Sequence, residues 1–159
     1  MGIDKNQAIV DYLLQCPAIA NNPVFFNAIQ ARDNTKEIVT QASDRNIHTP
    51  YIDGSVSKRY IFTIIDFRSI TYNPLVTIAG YPNENIQDML DVQGVIDWIE
   101  EQNDERHFPN FGEGCIIDEI RTNTDNPNLN GVDTSVTPAL AKYSVSVYVN
   151  YLDVTKTLY

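Results

Sequence analysis

The sequence predicts an α+β domain: one mixed or antiparallel sheet, helices packed on one face, and long loop or hairpin arms. Three observations carry this expectation. Lys58–Ser69 and Lys142–Asp153 read as long strands, the second with strict period-two alternation. Residues 5–15 and 90–103 place apolar side chains at helical spacing. Segments 44–57 and 123–138 are rich in Asp, Asn, Thr, Pro and Gly, the residues of turns and exposed arms. The element order is then α-β-β-α-β-β, with helices layered on a sheet. A length of 159 residues suits a single domain spanning 1–159.

Each element has a local reason. Asp4 caps a first helix with Ile9, Tyr12, Leu13 and Cys16 on one face, and Pro17 ends it. Residues 17–35 read as irregular, with Val24, Phe25, Phe26 and Ile29 tucked into the core or forming a short helix. A strand follows over Lys36–Ser43. In the 44–57 excursion, Asp53-Gly54 is a hairpin-turn signal and marks the tip of a β arm. Lys58–Ser69 is apolar on both faces at its centre: Tyr60, Phe62 and Ile64 on one, Ile61, Ile65 and Phe67 on the other. Such a strand is expected in the middle of a sheet covered on both sides.

Residues 70–83 carry Pro74, Gly80 and Pro82 and read as a loop. Val92, Val95, Ile96 and Ile99 define one face of the second helix, with Trp98 at its border. Glu84, Asp88 and Asp91 fall on the wrong side for that helix, so 84–90 is expected to be a separate turn. RHFPNFGEG (106–114) is a loop, Cys115–Thr122 a strand, and 123–138 the second arm. In the last strand Tyr143, Val145, Val147, Val149 and Tyr151 face the core, and Ser144, Ser146, Tyr148 and Asn150 face out.

The charge is lopsided. The chain has 11 basic and 21 acidic residues, a net −10. Residues 1–80 hold seven of each, so the whole excess lies in 81–159. Phosphate binding needs Lys and Arg to release counterions, so this surface does not grip nucleic acid. It suits a basic partner, or DNA that passes without being held. No apolar run approaches the ~20 residues that span a bilayer. The N-terminus has charges within its apolar pattern and reads as a helix, not a signal peptide. After Met1-Gly2, Asn6 stands where a myristoylation motif wants Ser or Thr. Cys16 and Cys115 have no metal-ligand spacing and read as free thiols of a soluble protein made in a reducing cytosol.

The sequence carries no P-loop, no G-x-S-x-G and no H-E-x-x-H. His48 and His107 each sit in a loop without a spaced Cys or acid. Glu100-Glu101 and Asp104-Glu105 lie on a solvated helix face, without the apolar setting that raises a carboxylate pKa for acid catalysis. Asn126-Pro-Asn128-Leu-Asn130-Gly131 resembles the start of a calcium loop, but Asn126 replaces the first Asp and Thr137 the bidentate Glu. A plain Asn-Gly turn fits better. The expectation is a protein with no enzyme activity, no cofactor and no metal.

Three segments carry a resemblance. They are the Lys58–Ser69 strand after a polar arm, the run Val95-Ile-Asp-Trp-Ile-Glu-Glu-Gln-Asn-Asp-Glu-Arg106 leading into Phe108-Pro-Asn-Phe-Gly112, and the closing strand from Ala141 to Asp153. In this order they are similar to tail terminator proteins of long-tailed bacteriophages. The resemblance implies a structural virion protein of the tail or neck, made in the host cytoplasm. It would form a hexameric ring that caps the tail tube, stops its polymerisation and offers the head-joining surface. The implied partners are further copies of itself, the tail tube protein, a head-completion or connector protein, and genomic DNA passing without specific binding; no membrane is involved. The candidate interface residues are Tyr51, Asp53, Lys58 and Arg59 at the first arm, and Asn128, Asn130 and Asp133 at the second. Trp98, Glu100, Glu101 and Asp104 on the acidic helix join them, with Phe108 and Phe111 in the loop after it. Another phage neck protein, for head closure or tail completion, is the alternative. A small ligand-binding domain or enzyme would need a pocket where His48 or His107 meets carboxylates.

Overall fold

The computed structural model describes residues 4–20, 24–27, 35–41, 48–69, 84–124, 128–135 and 139–155. Its elements in chain order are α1 (Lys5–Leu13), α2 (Pro17–Ala20), β1 (Val24–Phe26), β2 (Thr35–Gln41), β3 (Thr49–Pro50), β4 (Val56–Ser69), α3 (Glu84–Asp104), β5 (Cys115–Thr122), β6 (Asn128–Asp133) and β7 (Leu140–Asp153). The fold is mixed α+β around one seven-stranded mixed sheet.

Strands β4 and β7 form its spine. They pair antiparallel from Val56↔Asp153 to Ser69↔Leu140, 14 residues on each strand. The strand path runs β1-β2-β4-β7-β5, with β3 also on β4 and β6 also on β7. Only β1 on β2 is parallel among the described pairs. The two outer strands share one edge of β7: β5 covers residues 147–153 and β6 covers 140–144.

Alternation on β7 buries Tyr143, Val145, Val147, Val149 and Tyr151, as its sequence pattern requires. Phe62 and Ile64 of β4, Ile38 of β2 and Ile117 and Ile120 of β5 join them. Ile9, Tyr12 and Leu13 of α1, Ile19 of α2 and Val92, Val95, Ile96 and Ile99 of α3 complete one cluster. Burial of this apolar surface is the main driving force for the fold. Asp4 caps α1 as expected, its Oδ1 accepting the Asn6 N–H at 2.9 Å.

Several expectations are corrected. Residues 84–104 form one continuous 21-residue helix, not a turn and a separate helix. Asp88 is half-buried and Asp91 exposed, and Arg68 at the end of β4 meets both, with Nη1 3.7 Å from Asp88 Oδ1 and 3.4 Å from Asp91 Oδ2. A helix can turn carboxylates towards a sheet when the sheet supplies the cation.

Within 17–35, the described residues form α2 and the parallel edge strand β1; Ile29 lies outside them. The 123–138 segment is not wholly an arm. Its residues 128–133 lie along β7 as β6, with a register irregularity between Leu129 and Val132 and Gly131 at φ +130. Only one face of β4 is covered along its centre, where Phe62 and Ile64 are buried with Asp66 beside them. Ile61, Thr63 and Ile65 stand opposite Tyr148, Ser146 and Ser144 and remain half-buried, whereas Phe67 on that side is buried. The polar face of β7 limits what can cover its neighbour.

Candidate functional site

The predicted hairpin forms at its predicted turn. The Gly54 N–H donates to the Tyr51 carbonyl at 3.1 Å and the Tyr51 N–H to the Ser55 carbonyl at 2.8 Å. Gly54 sits at φ +90, a conformation that suits glycine. Asp53 Oδ1 accepts the Ser55 N–H at 2.9 Å and the Ser55 hydroxyl, and these bonds hold its carboxyl below the usual range. At this ordered tip Tyr51 is 52% and Ile52 98% exposed. The paired residues Thr49 and Pro50 rejoin β4 at Ser57 and Val56; residues 44–47 of the predicted arm lie outside the described set.

Beside the hairpin, Tyr51, Lys58 and Arg59 share a groove of about 480 Å³ with Arg106, Ile116, Asp118 and Asn150. Lys58 Nζ bonds Asp153 Oδ2 at 2.8 Å. Burial opposes ionisation of Asp153, but bonds from Lys58 and Thr155 outweigh it and hold the carboxyl well below the carboxylate range. Arg59 donates from Nε to Asn150 Oδ1 at 2.8 Å and lies 4.2 Å from the Tyr148 ring centre. Arg106, at φ +56 just past α3, lies 5.3 Å from the centre of the Phe108 ring. Neither Arg59 nor Arg106 forms an ion pair among the described residues, whereas Arg68 and Arg121 do.

The helix candidates divide. Glu101 and Asp104 are exposed. Glu100 meets Arg121 at 3.4 Å, which Glu119 also binds at 2.8 Å. Trp98 is half-buried with its ring 5.1 Å from Tyr12, at the border its position implies. Phe108 is half-buried against the core. Phe111 is a correction: it is 3% exposed and makes edge contacts with Tyr60 and Tyr151 at 5.8 and 5.3 Å, so it offers no surface in this fold. Asn128 and Asn130 lie on β6, with side chains outside the described set. Asp133 accepts the Ser135 N–H at 2.9 Å and its hydroxyl.

A second groove of about 360 Å³ lies between α1 and residues 107–110, lined by Asp4, Asp11, Tyr12, Gln15, His107 and Phe108 among others. Its polar groups have local partners. His107 Nε2 meets Gln15 Oε1 at 2.9 Å, the Tyr12 hydroxyl donates to the His107 carbonyl at 2.9 Å, and Asp11 accepts from Gln7 at 2.8 Å. Among the described residues no group of three or more His, Cys, Asp or Glu is placed to hold a metal, and no helix is long and apolar enough to cross a membrane. Cys16 is buried, Cys115 half-buried, and both are free thiols.

The sequence reading missed Arg106 and Asn150 as groove residues, because only the β4–β7 pairing, which sets Asn150 opposite Arg59, and the turn after α3 bring them into one groove. It also missed a buried charge cluster. Lys36 and Asp66 are 1% and 2% exposed and 3.4 Å apart, and Arg68 binds Asp66 at 2.8 Å. Burial lowers the Lys36 pKa, with Asp66 opposing. The alternation of β2 and β4 put both residues on the core face, a signal present in the sequence beside Ile38 and Ile64.

Comparison with known proteins finds no protein-family model that matches this chain and no curated protein similar to it.

Proposed function

We propose that this chain is a structural virion protein, a tail terminator of a long-tailed bacteriophage. In this reading copies of it form a hexameric ring that caps the tail tube, stops its growth and provides the head-joining surface. One observation carries the reading beyond the resemblance: a short hairpin with an ordered turn presents Ile52, 98% exposed, beyond the sheet. An apolar side chain fixed at a projecting tip suits contact with another subunit. The acidic excess of residues 81–159 suits a channel that repels passing DNA. The mixed α+β fold around one seven-stranded sheet is compatible with the same reading, although its order is α-α-β-β-β-β-α-β-β-β rather than the expected α-β-β-α-β-β.

Another neck protein, for head closure or tail completion, would use similar surfaces. A small enzyme is less favoured. His107 lies in one groove with Asp4 and Asp11, but its Nε2 is taken by Gln15 and Asp4 caps α1.

The test is polymerisation of the cognate tail tube protein followed by light scattering. A terminator added during growth stops elongation at substoichiometric ratios to tube subunits. Elongation at an unchanged rate with the chain in excess contradicts the terminator reading and leaves the other neck roles.

A further inference from the structure

We propose that the groove at the root of the hairpin receives the acidic stripe of α3 from a second copy of this chain, in a head-to-tail contact. The proposal deepens the ring-forming reading and rests on it. It begins with an imbalance. With 21 acids against 11 bases, few cations should lack an acid, yet Arg59 and Arg106 line one groove and neither is ion-paired among the described residues. Arg59 is already oriented by Asn150 and Tyr148, at 2.8 and 4.2 Å, which lowers the ordering cost of binding. Its Nη donors have no partner among the described residues.

The complementary surface is on the same chain. Asp97, Glu101 and Asp104 follow at i, i+4 and i+7 on α3, so they form one stripe about 10 Å long. All three are exposed, as is Glu105, and none is ion-paired among the described residues. Arg106 follows Asp104 and Glu105 directly but pairs with neither, lying over Phe108 instead. Arg59 acts electrostatically on Glu119, with Asn150 bonded to both, but without a direct ion pair. Arg106 and the stripe have no ion-pair partner among the described residues, so a subunit leaves charge available on both halves of a complementary contact. Tyr51 and Ile116 line the groove at 52% and 58% exposure, so docking would bury apolar surface beside the charges. The groove lining and the stripe share no residue, so a contact of one with the other is heterologous and propagates until rotation closes a ring.

The experiment is sedimentation equilibrium of the full chain over a wide concentration range at low and high salt. The variants are Arg59→Glu with Arg106→Glu, Glu101→Lys with Asp104→Lys, and all four together. Circular dichroism checks each fold, and Arg106→Glu alone, at an exposed site, serves if the Arg59 change perturbs folding. The wild type should associate, and more weakly at high salt. Each pair of substitutions should lower the association constant by at least about tenfold, and the fourfold swap should restore it. Association that survives both pairs, a wild type monomeric throughout, or a fourfold swap that stays dissociated overturns the contact. Loss of binding to a short DNA duplex in Arg59→Glu/Arg106→Glu, with self-association unchanged, also overturns it and assigns the groove to phosphate. Tube capping is measured separately: its absence with this association intact would reject the terminator reading and keep the contact.

Discussion

Lys36 and Asp66 face each other across the β2–β4 ladder, their side chains 1% and 2% exposed and Nζ 3.4 Å from Oδ2. Asp66 also takes Arg68 Nε at 2.8 Å, so one buried carboxylate balances two cations. Removing it leaves Lys36 uncompensated in a dry site and leaves Arg68 with only the more distant Asp88 and Asp91. Asp66→Asn should therefore cost about 3–5 kcal/mol, the range for breaking a buried ion pair. Lys36→Met should cost less, because Asp66 keeps Arg68. Urea unfolding of both variants checks the order, and a larger loss for Lys36→Met would contradict it.

Arg68 links the sheet to the first half of α3 through Asp88 and Asp91. Arg68→Gln should leave these carboxylates beside Asp66 without their cation. Amide exchange around residues 88–91 should quicken at least several-fold more than around Val95–Ile99, which is held by buried apolar side chains. Uniform quickening along the helix would deny the ion pairs a local role.

Alkaline pH should weaken the fold through its tyrosines. Burial pushes Tyr60 and Tyr151 up to about 12, and raises Tyr12 as well. A folded pKa above the unfolded value of 10.0 gives stability that is complete below pH 10 and lost as pH rises towards 12. Lys36 acts with the opposite sign: its depressed pKa adds stability as pH rises through the window below 10.5. Denaturant midpoints should fall between pH 10 and 12, with a shallower fall in Tyr60→Phe. An equal slope in that variant would remove Tyr60 from the account.

Gly114 is at φ +83, and a Cβ there would lie 2.5 Å from Thr155 Cγ2. Its carbonyl accepts the Val154 N–H at 2.7 Å, joining the start of β5 to the end of β7. Gly114→Ala should cost at least about 1–2 kcal/mol from the left-handed backbone alone. Adding Thr155→Ser removes the clashing methyl and should recover only part of the loss. Complete recovery would mean that the backbone conformation carries no cost.

The most legible parts were those with strong periodicity. The alternation of β7 and the apolar face of α3 named their buried residues, and Asp53-Gly54 placed the hairpin turn. Parts that depend on distant partners were hidden. The two ends of α3 read as separate because the sequence does not reveal that Arg68 waits beside Asp88 and Asp91. Strand β6 read as loop because its Asn-rich sequence has low strand propensity, and pairing with β7 overrides that preference. Of the interface candidates, Tyr51, Lys58 and Arg59 share a groove, but Phe111 is core, since aromatic content in a loop does not say which way a ring points. Arg106 could have been noticed as a lone cation beside eight acids.

The most direct measurement is electron microscopy of tail tubes assembled with and without this chain. The account predicts ring-shaped density with a central hole at one tube end, and tubes that no longer grow from it. Tubes with two bare ends, beside free chain that forms no ring, would contradict it.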